Sequence, residues 1–200
     1  MAINLFFRVK YQLSSITDDG KETPIAGAMK RMGLLSVFLL VIILTCKQGH
    51  NDETKTKQEQ TIRTNFDSFV ENAWNNKNMD SLRAVSVENF NRHLNGIQVA
   101  SNQNEMEANM NIFFNGFPDL KVSIENSTIK DNQLFAHWTF KGTNTGIFGE
   151  APATGKSIIV SGYSELSFDT QGKIIREDVY YNELQLLQQL GYTLNPPNVD

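Results

Sequence analysis

Residues 117–142 read FPDLKVSIENSTIKDNQLFAHWTFKG, and their periodicity decides the fold class. Apolar side chains recur at every second position, first as Leu120, Val122 and Ile124, then as Leu134, Ala136, Trp138 and Phe140. A period of two places alternate side chains on one face of a pleated strand. Asp131-Asn132 between the two runs is a turn signal, so the stretch predicts a hairpin with one apolar face.

Downstream, the same alternation continues from Ile158 and Val160 through Gly162 to Phe168, and then through Ile175, Val179 and Tyr181. Asp169-Thr170-Gln171-Gly172 separates these runs, so four strands are predicted in two hairpins. Upstream of Pro118 the period is helical. Ile62, Phe66, Phe69, Val70, Ala73 and Trp74 recur at threes and fours, a helix that ends near Asn75-Asn76. A short second helix capped by Asp80 carries Leu82 and Val85. A third starts near Asn104 with Met106, Met110, Phe113 and Phe114, and Gly116 and Pro118 stop it. A last helix from Leu184 to Leu190 ends at Gly191, which suits a left-handed cap. Helices first and an antiparallel sheet afterwards predict an α+β domain over residues 62–197, with helices packed on one face of a curved sheet.

The first 61 residues read differently. Met29-Lys30-Arg31-Met32 and the apolar run 33–44 (GLLSVFLLVIIL) form the basic and hydrophobic regions of a signal peptide over 29–45. The run is shorter than the roughly 20 residues that cross a bilayer. Cys46 directly after it resembles the lipidated cysteine of a bacterial lipobox, although Thr45 stands where Gly, Ala or Ser is usual. The alternative is an uncleaved anchor with Cys46 incidental. Both place the domain outside the cytoplasm. The polar patch at Thr17–Glu22 is foreign to a signal peptide, so residues 1–28 are expected to be an upstream extension, with translation starting at Met29. Residues 46–61 hold no large apolar side chain and are expected to be a flexible tether.

From Cys46 onward there are 13 basic against 19 acidic residues, and this balance gives nucleic acid no basic footprint to bind. A lone cysteine makes no intrachain disulfide. The run 150–157 (EAPATGKS) ends like a phosphate-binding loop, but Glu150 replaces the required glycine and a β-branched strand follows, so no nucleotide site is expected.

Phe117-Pro118-Asp119-Leu120, Gly142-Thr143-Asn144-Thr145-Gly146 with Thr154-Gly155-Lys156, Gly172-Lys173-Ile174, and Gln188-Gln189-Leu190-Gly191 resemble, in order and spacing, the landmarks of SnoaL-like polyketide and ester cyclases over residues 62–192. The resemblance implies the cone fold of the nuclear-transport-factor-two-like superfamily, a bent sheet wrapped around helices to leave an apolar pocket. It also implies aldol ring closure without metal or organic cofactor, using a general acid/base and a cavity that folds a small hydrophobic carbonyl compound.

The aspartate that the family uses for proton transfer, nine residues before the glycine of QLG, is here Asn182, and the histidine of the family's GTHTG loop is here Asn144. A carboxamide does not shuttle protons near neutral pH. Asp178, on one face of the last strand with Arg176, Tyr180 and Asn182, is one substitute proton carrier; the plainer reading is a surface aspartate paired with Arg176. His93 falls where the family often has a pocket histidine, though a lone histidine is more often structural. His137 opposes Trp138 and Phe140 by parity and therefore faces away from the core.

Trp138, Asn144, Phe148, Tyr163 and Tyr180 are candidate ligand contacts, with plain core packing as the alternative for aromatics at strand period. No His, Cys, Asp or Glu set has metal-ligand spacing. The expected functions are a cofactor-free cyclase, isomerase or hydrolase, a non-catalytic envelope lipoprotein that binds its ligand, or a homodimer associating through the outer sheet face.

Overall fold

The computed structural model describes residues 54–196. Helix α1 occupies 54–68 and continues as a π-helical stretch, Phe69–Asn75. The wider turn sets Phe69 and Trp74, five residues apart, edge to face with ring centroids 6.5 Å apart, and both are buried. Residues 54–61, read from composition as part of a tether over 46–61, are thus helical. Long-range bonds hold α1 to the turn 169–173: Gln58 Nε2 donates to the Asp169 carbonyl at 3.0 Å, and Asn65 Nδ2 to that of Gly172 at 2.6 Å.

Helix α2 (Met79–Val85) is capped by Asn78, whose side chain accepts from the backbone N–H groups of Asp80 and Ser81. Asp80 is therefore in the first turn and is not the cap. Helix α3 (Gln103–Gly116) buries Met106, Met110 and Phe114, as the periodicity predicts. Between α2 and α3 lie two strands that the apolar pattern does not announce, β1 (Ser86–Leu94) and β2 (Ile97–Ala100). Asn95 and Gly96 join them with φ of 50° and 86°, the paired positive values of a tight hairpin turn that Asn-Gly favours.

β3 (Lys121–Lys130), β4 (Gln133–Thr143), β5 (Ser157–Phe168) and β6 (Ile174–Tyr181) are the four predicted strands. α4 (Glu183–Leu190) ends at Gly191 in the left-handed region with φ of 102°. The six strands form one sheet in the order β2-β1-β6-β5-β4-β3, with β1 and β6 parallel and every other pair antiparallel. The fold is α+β: helices lie against one face of a mixed, mainly antiparallel sheet.

Alternation divides that sheet cleanly. Leu134, Ala136, Phe140, Ile158, Val160, Leu166, Phe168, Ile174 and Val179 are buried on the inner face against Ile62, Phe66, Phe69, Met106 and Met110 from the helices. The outer face carries Phe135, Ile159, Tyr163 and Tyr180, all exposed. A bulge where β6 begins, between the partners Phe168↔Ile174 and Ser167↔Arg176, turns Ile175 outward and returns Glu177 to the inner face. Asn75 ties α1 to the edge strand β3 by a reciprocal pair with Val122, accepting at 2.8 Å and donating at 3.0 Å.

Candidate functional site

A cavity of about 70 Å³ lies between α1 and the inner face of the sheet. Its apolar wall includes Phe66, Phe69, Trp74, Phe113, Trp138 and Phe140. Four further residues bring polar atoms to it: Arg92 on β1, Ser164 on β5, and Glu177 and Tyr181 on β6. Arg92 and Glu177 are partners in the parallel β1/β6 register, so both inward side chains enter from adjacent strands at one level.

The polar groups are held individually. Trp138 Nε1 donates to Ser164 Oγ at 3.0 Å, which leaves the hydroxyl proton to reach Glu177 Oε1 at 3.2 Å. Glu177 Oε2 faces Arg92 Nε at 3.6 Å, with both side chains more than nine-tenths buried. Neither of those two atoms has a hydrogen-bond partner. The Arg92 guanidinium lies 4.9 Å from the centre of the Trp74 ring, and its Nη1 approaches the Met106 sulfur at 3.6 Å.

Burial pushes the Glu177 carboxyl above the ordinary carboxylate range, although Arg92 and the Ser164 hydroxyl pull the other way. Burial likewise pushes the Tyr181 phenol up to about 12, so it remains a proton donor at neutral pH. Trp138, Gly162 and Tyr181 stand side by side across β4, β5 and β6. A side chain at Gly162 would collide with the Trp138 ring; its absence lets Trp138 and Tyr181 meet edge to face at 6.1 Å.

Of the residues proposed from sequence, Trp138 lines this cavity. Asn182 does not: it is exposed, and its side-chain oxygen caps α4 by accepting from the Gln185 N–H at 3.0 Å. Asp178 projects from the outer face, where Arg176 grips it with bonds of 2.5 and 2.7 Å and holds its carboxyl below the usual range. His93 Nδ1 is 3.5 Å from Asp178 Oδ1, so these two candidates meet each other, on the face away from the cavity.

Tyr163 stacks on His137 on that same outer face, with centroids 4.6 Å apart, and is 62% exposed. Tyr180 is half exposed there too. Phe148 packs on Phe113 and Phe117 beside the long loop. Asn144 is buried and staples that loop: it donates to the carbonyls of Gly116 and Gly146 and accepts from the N–H and hydroxyl of Thr154. Cys46, the proposed lipidation site, lies outside the described residues. Among the described residues, no three His, Cys, Asp or Glu side chains are placed to hold a metal ion.

Glu177 and Arg92 escaped the sequence reading, yet one signal pointed to Glu177. Val179 and Tyr181 mark the inward register of β6, and Glu177 shares their parity. A charged residue in an inward register is the departure worth following. Arg92 had no such marker, because β1 (SVENFNRHL) has no clean alternation.

Comparison with known proteins agrees with the fold. A protein of Jannaschia sp. CCS1, provisionally described as a SnoaL-like polyketide cyclase, superimposes with a TM-score of 0.61 at 18% identity, over 69% of this chain and 94% of its own. TsrD of Streptomyces laurentii gives 0.59 at 18%, over 66% and 96%. A SnoaL-like polyketide cyclase of Agrobacterium tumefaciens gives 0.53 at 21%, over 65% and 98%. At these identities the likeness is one of fold. No curated protein matches the sequence. The family profile described as SnoaL-like polyketide cyclase matches residues 64–190, well over half of the chain. The chain therefore belongs to the SnoaL-like polyketide cyclase family.

Proposed function

We propose that this domain is a cofactor-free acid/base enzyme of the cyclase or isomerase kind, acting on a small hydrophobic carbonyl compound with Glu177 as its proton carrier. The observation that carries the reading is a buried carboxylate, raised above its ordinary pKa, in the wall of a mainly apolar and aromatic cavity. A raised pKa makes the ionised form a stronger base, and the acid form a proton source closer to neutral pH. Aromatic walls suit a flat apolar ligand, and the volume of about 70 Å³ restricts an occupant to a few atoms unless the walls move apart.

In this mechanism Glu177 removes a proton from the carbon beside the substrate carbonyl. Ser164 donates to Oε1, and Oε2 faces Arg92. Tyr181, protonated throughout the neutral range, supplies a neutral donor from the adjacent wall. Asn182, standing where the family's aspartate would, takes no part beyond capping α4. An envelope location, through a signal peptide and a lipid on Cys46, belongs to the same proposal and would expose the cavity to extracytoplasmic compounds. A binding-only role would be favoured by an amide-lined cavity, whereas the inward side chain on β6 is a carboxylate.

The test is deuterium exchange at the α-carbon of small ketones in heavy water, followed by NMR. The wild-type domain should accelerate exchange, and Glu177→Gln should lose roughly 10²- to 10⁴-fold of that acceleration, the usual worth of a positioned general base. Equal exchange rates in the two proteins would refute the assignment.

A further inference from the structure

The chain holds two Asn-Gly dipeptides, Asn95-Gly96 and Asn115-Gly116. An Asn-Gly pair is where a polypeptide most readily reacts with itself. Glycine has no Cβ, so its backbone nitrogen can approach the asparagine side-chain carbonyl carbon, Cγ, and close a five-membered ring. The fold treats the two pairs differently.

Asn95-Gly96 is the whole loop of the β1–β2 hairpin, closed by the pair Leu94↔Ile97, with φ of 50° and 86°. Both residues are exposed, and no atom lies within 4 Å of the point where a Cβ on Gly96 would stand. Among the described residues, nothing accepts a hydrogen bond from the Gly96 N–H, and Asn95 Nδ2 donates none. Asn95 Oδ1, by contrast, is held: it accepts from the Tyr181 N–H at 3.2 Å, while the Asn95 N–H donates to the Val179 carbonyl at 2.8 Å. The nucleophile and the leaving group are both free, and the oxygen on which negative charge develops already faces a fixed backbone donor, the arrangement that stabilises the tetrahedral stage of acyl transfer.

Asn115-Gly116 has none of this. Gly116 is the last residue of α3, its N–H belongs to the helical ladder, and it is buried against Phe148. That nitrogen must leave the ladder before it can attack.

We infer that Asn95 is a self-modification site, at which the Gly96 nitrogen attacks Asn95 Cγ and the amide becomes first a succinimide and then a carboxylate. Water is the only co-reactant. The Gly96 N–H proton passes to water, the nitrogen pair forms the N–Cγ bond, and the carbonyl π pair moves to Oδ1. That pair returns as the Cγ–Nδ2 bond breaks, and Nδ2 takes a proton from water and leaves as ammonia. Water then opens the ring. Addition at Cγ gives aspartate; addition at the main-chain carbonyl gives isoaspartate, whose backbone runs through the former side chain. Isoaspartate lengthens the two-residue loop by one methylene where β1, which carries Arg92, is clamped to β6, which carries Glu177 and Tyr181. The modification therefore lies outside the cavity and loosens its wall.

Peptide mapping by mass spectrometry tests this on the full-length protein held in mildly alkaline buffer. In urea, where both pairs meet the same solvent, Asn95 and Asn115 should lose their amides at similar rates. In the folded protein Asn95 should outrun Asn115 roughly fivefold or more, the worth of the helical hydrogen bond that Gly116 must first break. Isoaspartate should accompany aspartate at position 95, detected with an isoaspartyl methyltransferase and its methyl donor, because direct hydrolysis of the amide makes aspartate alone. Three results would each overturn the proposal: an Asn95 that keeps its amide in the folded protein while the unfolded chain converts, an Asn115 that keeps pace with it, or aspartate without isoaspartate. The isoaspartate form, separated from the parent by charge, should unfold at a lower temperature; equal temperatures would overturn the link to the cavity wall.

Discussion

Glu177 and Asp178 are consecutive carboxylates on β6 with opposite fates: Glu177 is buried in the cavity wall opposite Arg92, and Asp178 is clasped by Arg176 on the outer face. Strand alternation alone separates them. Their pKa values move in opposite directions, because burial dominates at Glu177 and hydrogen bonding to Arg176 dominates at Asp178.

Glu177 should cost stability as pH rises. Its folded pKa lies above the unfolded value, so the native state holds the proton longer, and stability falls from the ordinary glutamate range up through the raised folded value. Glu177→Gln should remove this slope. Denaturant titrations between about pH 4 and pH 9 should show the variant gaining on the wild type as pH increases; parallel curves would exclude a raised native pKa.

Asp178 should behave in the opposite sense. Its folded pKa is depressed, so its contribution is present above the unfolded value near 3.8 and fades as pH falls through the folded one. Asp178→Asn should therefore destabilise the domain at neutral pH, and the difference should narrow in acid. It should leave ketone exchange intact, since the side chain faces away from the cavity. A loss of exchange comparable to that of Glu177→Gln would place the chemistry on the outer face.

Restoring the family's aspartate should not create a cavity carboxylate. Asn182 is an exposed helix cap, and Asp caps a helix about as well as Asn, so Asn182→Asp should change neither stability nor exchange appreciably. Asn182→Ala should cost about 1 kcal/mol in unfolding free energy through the lost cap. New exchange activity in Asn182→Asp would contradict this placement.

Asn144→Ala should be far more damaging. It strands two carbonyls and the Thr154 N–H around a buried side chain, a loss on the order of 3 kcal/mol. Thermal unfolding of the variant checks this; a loss below about 0.5 kcal/mol would mean that the loop is held by other bonds.

Protein isolated from its native host should carry acyl chains on Cys46, given the short apolar run before it and the lipobox position. Intact mass decides the matter: retention of Met29, or an unmodified Cys46, excludes lipidation.

By itself the sequence determined the class of the domain and most of its elements. Period-two runs from Leu120 to Tyr181 and period-3.6 runs before Pro118 report burial of one face, which is a local property of each element. The weakly apolar strands β1 and β2 were hidden because SVENFNRHL buries Ser86 and Arg92 in inward positions, so the pattern that marks a strand was missing. The family's motif positions were also readable, but not what Asn144 and Asn182 do. One is a loop staple and the other a helix cap, roles set by neighbouring backbone groups. Only the tertiary structure decided that Arg92 faces Glu177, because their meeting requires β1 to lie parallel to β6 across 85 residues of chain. It also decided that this pair stays open while Arg176 and Asp178 close, since the cavity wall holds Arg92 over Trp74 and Glu177 on Ser164, and the outer face leaves Arg176 free to fold onto its neighbour.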